Sequence, residues 1–334
     1  MGGLVDNIDL IIVKGVYKNM ARHNQVILNG QVSVPPRIVE DEHGTPIRAM
    51  FGIDVMHGNR DFGNNIDNIK YDVPIIMTSD ADMIKKIKKI SKCDMVEIKG
   101  TITTRDITKR TTCRYCGHKH EKAGNLVCIT PIYIEIREPA LTDEKGKKLL
   151  RNRCEVSNMV TVIAPLCRDP QLYITENGTC VTTYQLAIRR KFKIKKDTDI
   201  RTDFPWVKSY GQIAENDAKS LKKGAYVFID GRIQVRQLKR IQECENCGET
   251  YEWTDSATEI VPYAVEYLRD FFTKEEIEAK EKEEGKIAAS QVFDEEEISR
   301  NRPLDTPDFN DDEDVNSKKE NNGSIGSAAS DVLD

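Results

Sequence analysis

The chain has 334 residues, 39% of them hydrophobic and 31% charged, with a formal net charge of −5; that is room for two ordinary domains plus a polar segment. No window nears the roughly 18 uninterrupted apolar residues of a spanning helix, and the opening "MGGLVDNIDLIIVKGVYKNM" carries Asp6 and Asp9 where a secretory leader is cationic. Nine cysteines, four of them in two Cys-x-x-Cys pairs, point to metal in a soluble cytoplasmic protein rather than to a secreted disulfide framework.

Residues 1–22 read as an extension before a first domain over 23–140. "NQVILNGQVSV" from Asn24 and "PIRAMFGIDVM" from Pro46 are β-rich runs for a first and a second strand, on either side of a Gly44-Thr45 turn. "YDVPIIMTS" from Tyr71 supplies a third. "DADMIKKIKKISK" then puts Met83, Ile84, Ile87 and Ile90 on one helical face and lysines on the other. "MVEIKGTITTR" and "VCITPIYIEI" follow as fourth and fifth strands, and between them lies the knuckle "CRYCGHKH" with Cys113 and Cys116.

A second domain over 154–268 repeats this order. Residues 71–138 align with 202–269 at a constant shift of 131, with 16 of 68 positions identical, against roughly four expected by chance, which marks a duplication. Earlier segments align at a shift of 134, pairing Asn24 with Asn158, Pro36 with Pro170 and Gly44 with Gly178. The register changes in the polar stretch between 56 and 70, as a loop allows, and Gly178 needs no role beyond its turn. The strands here are "NMVTVIAPLC", "CVTTYQLAIRR" and "DFPWVKSYG", then "YVFIDGRIQVR" and "TEIVPYAVEYL". The helix "QIAENDAKSLKKG" buries Ile213, Ala214, Ala218 and Leu221 and stops at Gly224. The second knuckle, "CENCGETY", holds Cys244 and Cys247. Three strands, a helix and two strands in each copy predict an all-β fold with a minor helix. It is built as two tandem five-stranded Greek-key barrels of the OB-fold type.

From Asp270 to Asp334, 20 acidic and 8 basic side chains carry a net −12, which leaves +7 on the rest of the chain. This composition predicts a disordered acidic tail over 270–334 that competes for the basic surface of the body.

Alternate residues of an extended strand share a face, so Phe204, Trp206, Lys208 and Tyr210 form one stripe of three rings and a cation. Bases stack on such rings, at about 1–3 kcal/mol each, while cations meet phosphates; a core face carrying Lys208 would be unusual. Before this strand, Arg189, Arg190, Lys191, Phe192, Lys193, Lys195 and Lys196 read as a phosphate-tracking arm. The fourth strand adds Arg232 and Arg236, with Lys239 and Arg240 beyond. In the first repeat Val73, Ile75 and Met77 stand at the places of Phe204, Trp206 and Lys208. Stacking there is expected to be weaker, and a scaffolding role competes evenly with DNA contact. Arg105, Lys109, Arg110 and Arg114 leave that repeat a basic loop able to follow phosphates.

Two thiolates at Cys-x-x-Cys spacing hold one edge of a tetrahedral zinc, and the glycine that follows suits the tight turn. The first loop offers Cys128 and either His118 or His120 as further ligands, whereas "CENCGETYEWTDSATE" offers none. Two arrangements stay open: a separate site in the first loop, or one four-cysteine site shared by both knuckles. Structural zinc is the expected cofactor, stiffening loops too small for a core. Cys93, Cys154, Cys167 and Cys180 read as ordinary buried or half-buried residues.

In the second repeat "RDPQLYITENGT", "QLAIRRKF", "YGQIAENDAKSLKKG" and "VFIDGRIQVR" follow one another over 158 to about 267, and on these segments the repeat resembles the bacterial and phage single-stranded-DNA-binding proteins; the first repeat shares only "VEIKG" and its internal match. The resemblance implies an OB-fold that grips single strands without sequence preference in replication, recombination or repair. It implies assemblies of four barrels, hence a homodimer here, and stacking roles for Phe204 and Tyr210, to which Trp206 is an addition. Family tails end in acids and a final phenylalanine; this chain ends "SDVLD". Replication or recombination proteins are the expected contacts of the tail, and association with the nucleoid of a bacterial or phage-infected cell follows from DNA binding. The alternative reading is an OB-fold adaptor of a replisome or primosome, or an RNA-binding module. An enzyme is not expected: the His-x-Glu, Pro-Cys-x-x-Cys order of zinc deaminases is reversed here, and there is no Gly-Lys-Thr phosphate loop or nucleophile elbow.

Overall fold

A computed structural model of the protein describes residues 22–57, 70–152, 154–190, 202–273, 275–279 and 282. The first 21 residues, residues 58–69, Lys191, Phe192, Lys193, Lys195 and Lys196 of the basic run, the side chain of Cys154 and almost all of the acidic tail lie outside them.

The first repeat folds as β1 (His23–Glu40), β2 (Pro46–Met56), β3 (Tyr71–Asp72), β4 (Ile75–Thr78), helix α1 (Ala81–Ile87), β5 (Met95–Thr112) and β6 (Lys119–Glu138). Strand β1 pairs with both β2 and β5, β2 with β4, β5 with β6, and a parallel bridge from Ile76 to Ile129 joins β4 to β6. The ring of pairings closes a barrel and leaves few exposed edges. Asp80 caps α1 through its carboxylate, and Ile84, Ile87 and Ile90 plug the barrel end.

The second repeat follows the same plan. It runs β7 (Asn158–Pro165), β8 (Gln171–Ile174), β9 (Cys180–Gln185), β10 (Ile188–Arg189), β11 (Thr202–Asp203) and β12 (Trp206–Tyr210), then a helix at Gly211–Ser220, β13 (Tyr226–Glu243) and β14 (Thr250–Arg269). Here β7 and β8 together take the place of β1, and β12 pairs in parallel with β14. Proline breaks the predicted third strand in both copies, at Pro74 and Pro205, because it has no N–H for the ladder.

Between the barrels, α2 (Asp143–Asn152) and α3 (Cys154–Ser157) occupy a stretch to which the sequence reading assigns no element. Leu150 packs on Met56 and Met95, and Gly146 lies where a Cβ would meet Gln31 at 2.2 Å, so the linker helix is fastened to the first barrel. The helix Gly211–Ser220, α4, ends earlier than expected. Leu221 already has extended backbone, and Gly224, at φ +90, serves the turn into β13 instead of capping the helix.

The two barrels are one sheet. Strands β1 and β7 pair antiparallel from His23↔Ile163 to Leu28↔Asn158 and join the two barrels into one 12-stranded order, with β10 and β11 a separate pair. Val26 faces Val160 in this ladder, and these two positions are equivalent in the duplication, so the pairing lies on a pseudo-two-fold axis. Side-chain hydrogen bonds obey the same axis. The Asn24 amide makes both bonds to the backbone of Ile102 at 2.9 Å, and Asn158 does the same to Ile233 at 2.8 and 2.9 Å. Asp72 of the first barrel accepts from the Val235 N–H at 2.7 Å, and Asp203 of the second accepts from Thr104 N–H at 2.7 Å.

Beyond the barrels, β5–β6 and β13–β14 continue as long hairpin arms. Each arm begins at a bulge where glycine meets proline, Gly100 opposite Pro131 and Gly231 opposite Pro262. A Cβ on Gly100 would stand 2.7 Å from the Thr130 carbonyl, and one on Gly231 2.4 Å from that of Val261. Only glycine permits this close approach, which explains two of the duplicated matches. From bulge to tip each arm is about 40 Å long at roughly 3.4 Å per residue.

Two stability consequences follow. The Asp203 carboxylate is fully buried and also binds Arg190 at 2.6 and 2.8 Å. Asp203→Ala should cost about 3 kcal/mol in urea unfolding, because it strands both a guanidinium and the Thr104 N–H; Asp203→Asn, which keeps an acceptor, should cost less. Asp217 of α4 is also fully buried, holds the Tyr267 hydroxyl at 2.8 Å, and burial pushes its pKa from 3.8 up to about 6. A raised carboxyl favours the folded state when protonated, so this contribution is complete below about pH 4 and lost as pH rises to about 6. The span is on the order of 3 kcal/mol. Asp217→Asn, neutral throughout, should remove that slope relative to the unmodified chain when urea midpoints are compared across this range.

Candidate nucleic-acid interface and metal centre

The stripe predicted on the third strand of the second repeat is formed by β12 and the residue two before it. Val207 and Ser209 point inward and are fully buried. Trp206, Lys208 and Tyr210 alternate with them on the other face, as the two-residue period requires. Phe204 is 43% exposed, Trp206 and Tyr210 are half-buried, and Lys208 is only 3% exposed. The lysine is sunk between two rings, its Nζ 5.4 Å from the centre of Tyr173 and 5.6 Å from that of Tyr210. Arg168 lies over the Trp206 ring at 5.1 Å. Each of these cations faces the electron-rich side of an aromatic ring, an attraction that strengthens with desolvation.

Sequence reasoning missed Arg168 and Tyr173. Tyr173 sits two strands away on β8, opposite Val181 of β9, which in turn faces Tyr210. The signal was that strand order; the residues themselves stand in "RDPQLYITENGT".

The remaining candidates separate. Arg189 is exposed at the end of β10. Arg190 is held in the buried pair with Asp203, its side chain 7% exposed. Arg236 makes a two-pronged contact with Glu259 at 3.0 and 3.0 Å. Arg232 is 8% exposed and lies 3.7 Å from Asp72 of the first barrel; burial draws its pKa down, and Asp72 partly offsets this. Asp72 also binds His57 at 2.9 Å. Arg232 thus sits in a barrel-to-barrel contact and Arg190 in a buried pair within the second barrel, whereas the sequence reading had them contact DNA from the fourth strand and from a phosphate-tracking arm. Along the arms, Lys109 pairs with Asp255, Arg110 with Glu121, Lys239 with Glu252, and Arg240 lies 4.0 Å from Asp255.

On the first barrel, Met77 and Met50 pack with Leu126 and Cys128, with Ile75 and Ile107 around them. An apolar cluster therefore stands where the second barrel carries Trp206 and Lys208.

At the arm tips the two knuckles meet. The Sγ atoms of Cys113, Cys116, Cys244 and Cys247 all lie within 4.8 Å of one another, a set that can hold a metal ion. Across the pseudo-two-fold, Cys113 and Cys247 sulfurs are 3.8 Å apart and those of Cys116 and Cys244 3.6 Å. Both knuckles make the same turn, closed by Gly117 N–H to Cys113 and Gly248 N–H to Cys244 at 2.8 Å, with the glycines at φ +73 and +71. The His118 backbone and the Asn246 side chain draw the Cys116 thiol down to about 6. His120 is nearly buried with Nε2 3.3 Å from the Cys244 sulfur, and His118 stacks edge-on against it.

The alternative ligand set for the first loop is corrected by this arrangement. Cys128 is not at the knuckle; it is buried in the first barrel against the Thr103 hydroxyl at 3.2 Å, where burial raises its thiol pKa. Cys93, Cys167 and Cys180 are half-buried, as read from the sequence.

With this geometry in place, comparison with known proteins is specific. The single-strand binding protein family model matches residues 157–260. "Single-stranded DNA-binding protein 1" of Lactococcus lactis is 36% identical over 104 residues, covering 30% of this chain and 69% of that protein. "Single-stranded DNA-binding protein" of Clostridium tetani is 41% identical over 83 residues, covering 25% of this chain and 56% of that protein. The chain spans about half to two thirds of the length of the curated relatives it matches first. A crystal structure of wild-type single-stranded DNA binding protein from Thermus aquaticus superposes with a TM-score of 0.44 at 18% identity, covering 76% of this chain and 97% of that one, too weak a likeness to argue from.

Proposed function

This chain belongs to the single-strand binding protein family, and on that premise we propose that it binds single-stranded DNA without sequence preference, protecting unpaired strands during replication, recombination or repair. The observation that carries this reading is the β12 face, where exposed Phe204 and half-buried Trp206 and Tyr210 stand among cations inside the segment that matches the family. Bases stack on these rings whatever their identity, and Arg189 and Arg168 meet the phosphates. The function is capture, with no bond made or broken.

A shared structural zinc belongs to the same proposal. Four thiolates around a tetrahedral ion at roughly 2.3 Å stand about 3.8 Å apart, close to the 3.8 and 3.6 Å between opposed knuckles. The ion would tie the two arm tips together far from either barrel. A homodimer carrying four barrels, a cytoplasmic site of action and tail contacts with replication or recombination proteins complete the reading. Among the described residues no helix is long and apolar enough to cross a membrane.

Titration with oligo-dT should quench the fluorescence of Trp206 or Trp253, with affinity falling steeply in salt and little binding to duplex. Trp206→Ala should weaken binding roughly tenfold while Ile75→Ala leaves it nearly unchanged; equal losses would place the strand on the wrong barrel, and equal affinity for duplex would defeat the proposal. Metal analysis should find one zinc per chain. Cys116→Ser should abolish it and Cys128→Ser retain it.

A further inference from the structure

We propose that Cys116 of one knuckle and Cys244 of the other are a redox-sensitive pair, joined by hydrogen peroxide into a disulfide that clasps the two arm tips covalently. The inference is independent of the single-strand reading. It needs only the four-cysteine geometry, with an ion between the sulfurs or without one.

All four knuckle cysteines are free, and their sulfurs are gathered within 4.8 Å of one another. Across the pseudo-two-fold, the Cys116 and Cys244 sulfurs stand 3.6 Å apart, so roughly 1.6 Å separates them from a disulfide of about 2.05 Å. Cys113 and Cys247 are nearly as close, at 3.8 Å. Each pair joins a buried sulfur to an open one: Cys113 and Cys244 are 1% exposed, whereas Cys116 and Cys247 face solvent. Distance therefore offers two clasps, and the surroundings choose between them.

Divergence since duplication makes the two exposed sulfurs unlike. The Cys116 sulfur receives the backbone N–H of His118 and, from the opposite knuckle, the side-chain amide of Asn246. Cys247 receives the matching backbone N–H of Glu249, but the residue that matches Asn246 is Tyr115, whose hydroxyl is engaged with Arg114 at 3.1 Å. N–H donors hold negative charge on sulfur, and peroxide reacts first at an exposed sulfur so supported. The buried sulfurs differ too. Cys244 has the His120 imidazole beside it, with Nε2 at 3.3 Å. The residue that matches His120 is Tyr251, whose hydroxyl is engaged with Thr111 at 2.9 Å. In the first step the Cys116 sulfur takes one oxygen from peroxide. An S–O bond forms, the O–O bond breaks, and hydroxide leaves to take the proton that Cys116 gave up. In the second step the Cys244 sulfur displaces the hydroxyl from Cys116, and the S–S bond forms while His120 carries the Cys244 proton to the departing oxygen. Two thiols and one peroxide become one disulfide and two waters, with two electrons passing from sulfur to oxygen. Cys113 and Cys247 then remain for a metal, half of a tetrahedral set.

The test treats the full chain, purified under reducing conditions, with increasing hydrogen peroxide. Intact mass should fall by about 2 Da, the two hydrogens lost to one intramolecular disulfide. Cleavage at Arg114 and at Glu245 separates the cysteines of each knuckle, and mapping without reductant should join the Cys116 peptide to the Cys244 peptide before any other pair. A chromogenic chelator should register release of the bound metal over the same doses. Cys116→Ser and Cys247→Ser each remove one of the four sulfurs and so impair the metal site alike, yet only Cys116→Ser should leave the tips unlinked. Asn246→Ala should slow linkage several-fold. A first bridge between Cys113 and Cys247, a bridge within one knuckle or between two chains, or oxidation without loss of mass overturns the inference. So does equal loss of linkage in the two serine variants. A chain that holds no metal and still forms the Cys116–Cys244 bond supports the inference and refutes the zinc proposal alone.

Discussion

Everything else in this molecule depends on the antiparallel pairing of β1 with β7. Six residue pairs, centred on Val26 and Val160, merge two barrels into one sheet and one continuous hydrophobic core. Val26, Leu28, Val160 and Val162 are fully buried. Each contributes about 1.5–3 kcal/mol by burial, so neither barrel offers a free edge strand there for another chain to pair with. This pairing fixes the pseudo-two-fold axis. The axis in turn brings Asp72 to Val235, Asp203 to Thr104, and one Cys-x-x-Cys knuckle to the other.

A duplicated fold held this way can divide labour. The packing positions have stayed alike, as the paired asparagines, the Gly–Pro bulges and the matching Asp72 and Asp203 show. The outward positions have drifted apart. Met77 fills an apolar cluster where Lys208 lies between two tyrosines, and Cys128 stands where Glu259 holds Arg236. On the first barrel the face that matches the aromatic stripe is given over to packing.

The barrels were legible in the sequence because burial imposes a period. Alternation placed the strands, the 3.6-residue stripe placed Ile84, Ile87 and Ile90, and the constant shift of 131 gave the repeat. The length of the arms was not legible. In "TKRTT" and "KHEKAG" the inward face is polar, with half-buried Lys109 and Thr111 and buried His120, so no apolar alternation announces it; the ladder is held by backbone pairing and by the neighbouring arm, a tertiary fact. For the same reason Arg232 and Arg190 read as surface cations, since their acids, Asp72 and Asp203, lie 160 and 13 positions away in sequence. Asp217 looked like one more polar residue of a solvated helix face, and only the barrel above it makes it buried. The four-cysteine set was half legible: spacing announced two knuckles, and the choice between separate and shared sites needed the axis.

That axis also explains why the far clasp sits where it does. Between root and tip, cross-links join an arm some 40 Å long, at roughly 3.4 Å per residue, to its twin. Lys109 reaches Asp255, and Thr111 meets Tyr251 at 2.9 Å. Splaying the tips would break these contacts one at a time. Four sulfurs at the tips would change the balance, because an ion held by all of them would resist separation of the arms with its whole binding free energy. Two knuckles with half a ligand set each gain nothing apart and everything together. Duplication supplied both halves at once, and the pairing of β1 with β7 delivers them to the same point.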